Sequence, residues 1–150
     1  MAIEMQMAAV EKNADVIREY LSKLKLSPGT DQHYRALLYS WSGDSSNAKM
    51  IYDLWAEKDP FNEELICAAS EFYEKSGDQN KAYDVLQQAL IKNPYSVLLM
   101  KEYVRYCGRY GNSRFGMLTL QDLEGKIPDD DYIALYMEFQ KDIIRWQTSF

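Results

Sequence analysis

The chain of 150 residues holds one histidine, two cysteines and one run of three adjacent aspartates. His33 could act as a general base, because imidazole titrates near neutrality. That role needs a nucleophile beside it and a third group to orient the ring. No such trio can be read around His33, which is expected at a surface or an interface. Cys67 and Cys107 have neither C-x-x-C nor any other metal-ligand spacing, so both read as small buried hydrophobes. Asp129, Asp130 and Asp131 would suit a cation. They follow Pro128 at the start of an expected helix, where acids complement the positive N-terminal end. Phosphate-cradling glycine loops, nucleophile elbows and metal-ligand motifs are absent from the sequence. It therefore points away from an enzyme, and no catalytic residue, cofactor or metal is expected.

Charge offers more. Lys101, Arg105 and Arg109 recur every four residues and form one basic stripe on a helix. Glu64, Glu71 and Glu74 form an acidic stripe one period earlier. The whole chain has 17 basic and 23 acidic residues, a net of −6. That sign opposes direct nucleic-acid binding, which draws most of its affinity from phosphate neutralisation by Lys and Arg. No apolar run approaches the roughly 20 residues a membrane helix needs. Met1 to Val10 mixes Glu4 and Gln6 into its apolar residues, unlike a secretory signal. The cytoplasm is the expected compartment.

The elements that must carry these residues follow from punctuation. Seven glycines and four prolines are few, and most of them keep one period. Pro60, Pro94 and Pro128 are 34 residues apart, as are Gly43, Gly77 and Gly111. Asp44, Asp78 and Asn112 follow the glycines, while Asn62, Ser96 and Asp130 follow the prolines by two. Ala48, Ala82 and Gly116 make a small-residue column. Leu38, Phe72 and Tyr106, then Tyr39, Tyr73 and Cys107, then Tyr52, Leu86 and Leu120, make apolar ones. A glycine can take the left-handed conformation that ends a helix, and the Asp or Asn behind it can cap the next. Proline closes the second helix because it lacks an N–H. Each period reads helix, Gly-turn, helix, Pro-turn. Helices are expected at 3–26, 30–42, 45–58, 62–76, 79–92, 96–110, 113–125 and 130–147, with no strand.

This period and these columns resemble the tetratricopeptide repeat family. The best match is Glu63 to Ser96, with Ser70, Tyr73, Ala82, Leu86, Ala89 and Pro94 in place. The resemblance covers three repeats, 29–62, 63–96 and 97–130. It implies an all-α, right-handed solenoid of helix hairpins in a single domain over 1–150. A helix over 1–28 would precede the repeats, and a closing helix over 131–150 would follow them. Half-a-TPR repeats of RNA-processing scaffolds are a sister pattern. Leu99-Met100-Lys101-Glu102-Tyr103-Val104 resembles their first helix and Ala48-Lys49-Met50-Ile51-Tyr52 their second.

The resemblance implies function as well. Family members bind partners along the concave face, which the first helix of each pair lines. The corresponding residues here are Thr30, His33, Leu37 and Trp41, then Glu64, Cys67, Glu71 and Glu74, then Lys101, Arg105 and Arg109. Some relatives clamp the carboxylate tail of chaperones with Lys and Asn on these helices. His33 and Leu37 stand at two of those places, so that clamp is not expected. The stripes either pair into a solvated ion network with Glu102, or the basic one receives an acidic partner segment. Tyr39, Tyr52 and Tyr73 are expected to pack, while Tyr34 and Tyr110 are freer and suit interface anchors.

The two ends complete the expectation. Ile3, Met7, Val10, Ala14, Ile17, Leu21 and Leu24 form one apolar seam on a helix of about 24 residues. The seam either packs on the first repeat, or its overhanging first half forms a homodimer or lies in a groove. Ala14 lies 34 residues before Ala48 and suggests the second helix of a truncated repeat. The last helix, with Tyr132, Ile133, Tyr136, Met137, Phe139, Ile143, Ile144 and Trp146, is expected to cover the end of the stack, its charges outward. Trp146 and Phe150 are alternatively residual interface. A non-catalytic scaffold for a protein or peptide partner is the expected function. An accessory domain of a larger enzyme or complex, or a scaffold in RNA processing, is the alternative.

Overall fold

The computed structural model describes the backbone of residues 2–149 and the side chains of 3–149. Phe150 lies outside the described residues. Among these there are nine helices and no strand: α1 Ala2–Val10, α2 Ala14–Lys23, α3 Pro28–Trp41, α4 Ser45–Lys58, α5 Glu63–Lys75, α6 Gln79–Lys92, α7 Val97–Arg109, α8 Ser113–Leu123 and α9 Asp129–Thr148. They group into two compact units, Met1–Gly77 and Asp78–Phe150. Unit 1 holds α1 to α5 and unit 2 holds α6 to α9.

The glycine turns form as their chemistry dictates. Gly43, Gly77 and Gly111 have φ of 85°, 88° and 76°. Asp44, Asp78 and Asn112 then accept from the backbone N–H three residues on, at 3.2, 3.1 and 3.5 Å. At the proline turns, Asn62 N–H donates to Asp59 O and Ser96 N–H to Asn93 O, both at 3.1 Å. Asn62 and Ser96 cap α5 and α7, each accepting at 3.2 Å.

The N-terminal segment corrects the expected single helix over 3–26. It breaks at Glu11–Asn13 into α1 and α2, which pack together. Lys12 takes φ 54°, Asn13 N–H donates to Ala8 O at 2.8 Å, and Asn13 caps α2. This matches the Gly43 turn, where Asp44 N–H donates to Tyr39 O at 2.8 Å, and the Gly111 turn, where Asn112 N–H donates to Cys107 O at 2.8 Å. Lys12 therefore stands where the other turns have glycine. The register is also corrected. Ile17, four residues past its cap as Ala48, Ala82 and Gly116 are past theirs, occupies the small-residue column, and Ala14 does not. Ile17, Ala48 and Ala82 are fully buried. The seam splits accordingly: Met5, Ala8 and Ile17 are buried, while Ile3, Met7 and Val10 are exposed. The seam is therefore not continuous along one helix.

The third proline turn also differs from expectation. α8 ends at Leu123 and Gly125, at φ 81°, turns the chain. Pro128 opens α9 as its N-cap residue, so Asp130 is not the cap. Asp129, Asp130 and Asp131 fill the first turn of α9, where they meet the positive end of the helix.

Each unit has its own core. In unit 1, Met5, Ala8, Ile17 and Tyr34 are joined by Leu21, Leu24, Leu38 and Trp41. In unit 2, Met100, Val104, Cys107, Leu120, Leu123, Leu135, Phe139 and Ile143 make one cluster across α7, α8 and α9. Phe139 lies against Gly116 so closely that a Cβ there would overlap its ring, and a Cβ on Gly108 would sit 3.1 Å from it. The closing helix thus covers the end of unit 2. No helix among the described residues is long and apolar enough to cross a membrane.

Candidate binding groove

α3 places Leu37 and Trp41 one turn apart on one side of the helix. Asp31 and Arg35 pair on another side at 2.7 Å. Around Leu37 and Trp41 opens a groove of about 860 Å³, also lined by Ala9, Val10 and Lys12 of the α1 end and by Ala68, Glu71, Phe72 and Lys75 of α5. Three residues projected onto the partner face, Leu37, Trp41 and Glu71, are brought together here. Trp41 and Phe72 are half-buried and Val10 is exposed, so the lining mixes apolar surface with the polar groups of Ser40, Ser45 and Ser76. Glu71 and Lys75 neutralise each other, with Nζ 2.7 Å from the carboxylate.

His33 is corrected. It is 5% exposed, and its Nδ1 is buried without a hydrogen-bond partner in the structure. Burial depresses its pKa to about 4, so the ring is neutral near pH 7. α3 is flanked by α2, α4 and α5, which leaves little of its circumference to solvent. Tyr34 is corrected too: it is 3% exposed, and burial, helped by the charge of Glu64, pushes its pKa up to about 12. Thr30 bonds Ser27 and the Asn62 side chain at the start of α3. Glu64 is bonded by Gln6 of α1.

Packing was legible for two of the three column tyrosines. Tyr52 and Tyr73 are 1% exposed, and Tyr73 OH donates to Asp53 at 2.5 Å. Tyr39 instead stays 39% exposed. Cys67 is half-buried, not fully buried as expected, while Cys107 is buried and its thiol pKa is pushed up to about 11 by desolvation.

The basic stripe stands in unit 2. Lys101 and Arg105 are half-buried and Arg109 is exposed. Arg105 pairs with Glu102 at 2.9 Å and with Glu138 of α9 at 3.6 Å. Tyr110 packs against Tyr106 with ring centroids 4.6 Å apart and the planes tilted by 41°. Along α9 the outer face is not purely charged, as Ile133, Met137 and Ile144 are exposed. A shallow apolar hollow of about 400 Å³ lies there between Tyr136, Met137, Gln140, Lys141 and Ile144. No group of His, Cys, Asp and Glu suited to a metal occurs among the described residues.

Sequence reasoning missed Lys12, Val10, Phe72 and Lys75 as groove residues. The signal was available at Lys12-Asn13, which precedes Gly43-Asp44 by 31 residues and repeats its cap-type second member. No family model, curated protein or solved structure matches the chain.

Proposed function

We propose that the chain is a non-catalytic, tetratricopeptide-like scaffold that holds a segment of another protein in the groove of unit 1. One observation carries the reading. Leu37, Trp41 and Glu71, selected as partner-facing from repeat position alone, line a single open groove with the exposed end of α1. Half-buried aromatics in an open groove with polar groups around them are usual anchors of protein recognition. The register of the turns supports the repeat itself, since the column of Ile17, Ala48, Ala82 and Gly116 is buried throughout. The basic stripe is a weaker second candidate, because Arg105 already has two carboxylate partners.

The experiment is selection of dodecapeptides from a random display library on the full chain, followed by NMR mapping of the winners. Shifts are expected to concentrate at Leu37, Ser40, Trp41, Ala68 and Phe72. Trp41→Ala is expected to weaken binding about tenfold or more. Winners that map to Lys101, Arg105 and Arg109 and lose affinity on charge reversal there would move the site to unit 2. A library that yields no binder, or one indifferent to Trp41, would overturn the groove reading.

A further inference from the structure

The four turns that share the capped, left-handed geometry differ at one residue. Three have glycine with φ from 76° to 88°, and the fourth has Lys12 at φ 54°. A side chain in this region brings Cβ against the backbone, which glycine avoids. The turn itself gains nothing from lysine. Its bonds are made by backbone atoms, Lys12 N–H to Ala9 O at 3.1 Å and Asn13 N–H to Ala8 O at 2.8 Å, and by the Asn13 cap. Strain retained at one copy of a repeated turn marks a position kept for something other than folding.

What Lys12 supplies is a cation on the groove wall. Its neighbours Val10 and Trp41 present apolar surface there, and the only other charges in the lining, Glu71 and Lys75, are paired with each other. No ion pair to Lys12 occurs among the described residues. Unit 1 as a whole has 13 acidic and 8 basic residues, a net of −5. That net charge opposes an anion, so any attraction is local to Lys12, where a positive point beside the apolar surfaces of Val10 and Trp41 complements a carboxylate flanked by a bulky apolar side chain. A phosphate backbone would need several cations along its path, and this groove offers one that is not already paired.

We propose that Lys12 receives the carboxylate of the bound segment, so that the groove selects partner sequences with Asp or Glu beside a bulky aliphatic or aromatic residue. This rests on the groove reading above. The occupant is a segment of a different protein.

The test repeats the dodecapeptide selection on the full chain and on Lys12→Gly, Lys12→Arg and Lys12→Glu. Wild type and Lys12→Arg are expected to enrich Asp or Glu at a fixed offset from an apolar anchor. Lys12→Gly should keep the anchor and lose the acidic preference, and Lys12→Glu should replace it with Lys or Arg. For one synthetic winner, changing its acid to the amide should weaken binding about threefold to wild type and not at all to Lys12→Gly. Lys12→Gly should also melt about 4 °C higher, which separates lost recognition from lost folding. An acidic preference equal in wild type and Lys12→Gly overturns the inference. Apolar anchors without any acid overturn it and leave the groove standing, whereas no enrichment at all sinks both. A concentration-dependent dimer that Lys12→Gly abolishes would assign the groove to a second copy of the chain and overturn the choice of occupant.

Discussion

In unit 2 the α7–α8 hairpin is closed by a ring: α9 lays Phe139 on Gly116 and Gly108, and Trp146 lies over Gly111. In unit 1 the α3–α4 hairpin has the same glycine turn and a small residue, Ala48, in the column of Gly116, yet the ends of α1, α3 and α5 leave a groove open. The two units build different surroundings from one local grammar. Where a long helix brings a large apolar side chain to the small-residue column, the hairpin becomes a core. Where shorter helices meet around Trp41 and Leu37, the surface stays open. The glycines differ accordingly, since Gly116 and Gly108 serve contact with Phe139, whereas Gly43 meets nothing and serves only its backbone angle.

The largest expected effect comes from removing the ring that closes unit 2. Phe139→Ala empties a site that is 1% exposed, and it should cost about 3–5 kcal/mol in chemical denaturation. Groove binding measured under native conditions should survive in whatever fraction remains folded. An effect below about 1 kcal/mol would mean that α9 does not close the core as described.

The next effect belongs to unit 1 and depends on pH. Unfolded His33 takes up a proton near pH 6.5, but folded His33 does so only near pH 4. Between those values the unfolded chain binds more proton, so stability falls as pH falls from 6.5 toward 4 and this contribution is level above. The shift corresponds to about 3 kcal/mol at the acid end. His33→Leu removes the titration and the orphan Nδ1 together. Wild type minus variant, measured by denaturation at several pH values, should show that slope only inside the window. Parallel curves for the two proteins would contradict the burial of His33.

These two residues also mark how far the sequence could be read. Phe139 and its target Gly116 belonged to a register that glycines, prolines and caps made plain from Pro28 onward. α4 and α6 begin and end where the spacing predicts, at 45–58 and 79–92. His33 misled because it shares a stripe with Thr30, Leu37 and Trp41. Its burial depends on how α2 and α5 fold over α3, which periodicity along α3 does not encode. The break at Lys12 had only the cap-type Asn13 to announce it, and two things masked that signal. The apolar spacing from Ile3 to Leu24 runs without interruption, and lysine carries no left-handed signal. The pairing of α1 with α2 decides it, through buried Met5, Ala8 and Ile17 and the bond from Tyr20 OH to Glu4.

A smaller effect sharpens the contrast between the glycines. Gly116→Ala places a methyl group into the Phe139 ring and should cost about 1–3 kcal/mol through overpacking. Combined with Phe139→Leu, the cost should be less than the sum, because the smaller side chain leaves room for the methyl. Additivity in that double-mutant cycle would show that the two residues do not share the contact.

The smallest effect compares one cation from each unit. Arg105 ties α7 to α9 through Glu138 at 3.6 Å while also meeting Glu102 at 2.9 Å, and its side chain is 31% exposed. Water and salt screen a pair of that kind, so Arg105→Ala should lower stability by less than about 1 kcal/mol, and less still at high ionic strength. Lys12 is the opposite case. Its removal to glycine should raise stability, because the backbone angle that lysine endures is one glycine accepts freely. The two substitutions delete the same charge from the same chain and are expected to move the melting temperature in opposite directions. If both lower it, Lys12 contributes to holding unit 1 together as Arg105 does in unit 2. The distinction between a cation that serves the fold and one held for a ligand would then be lost.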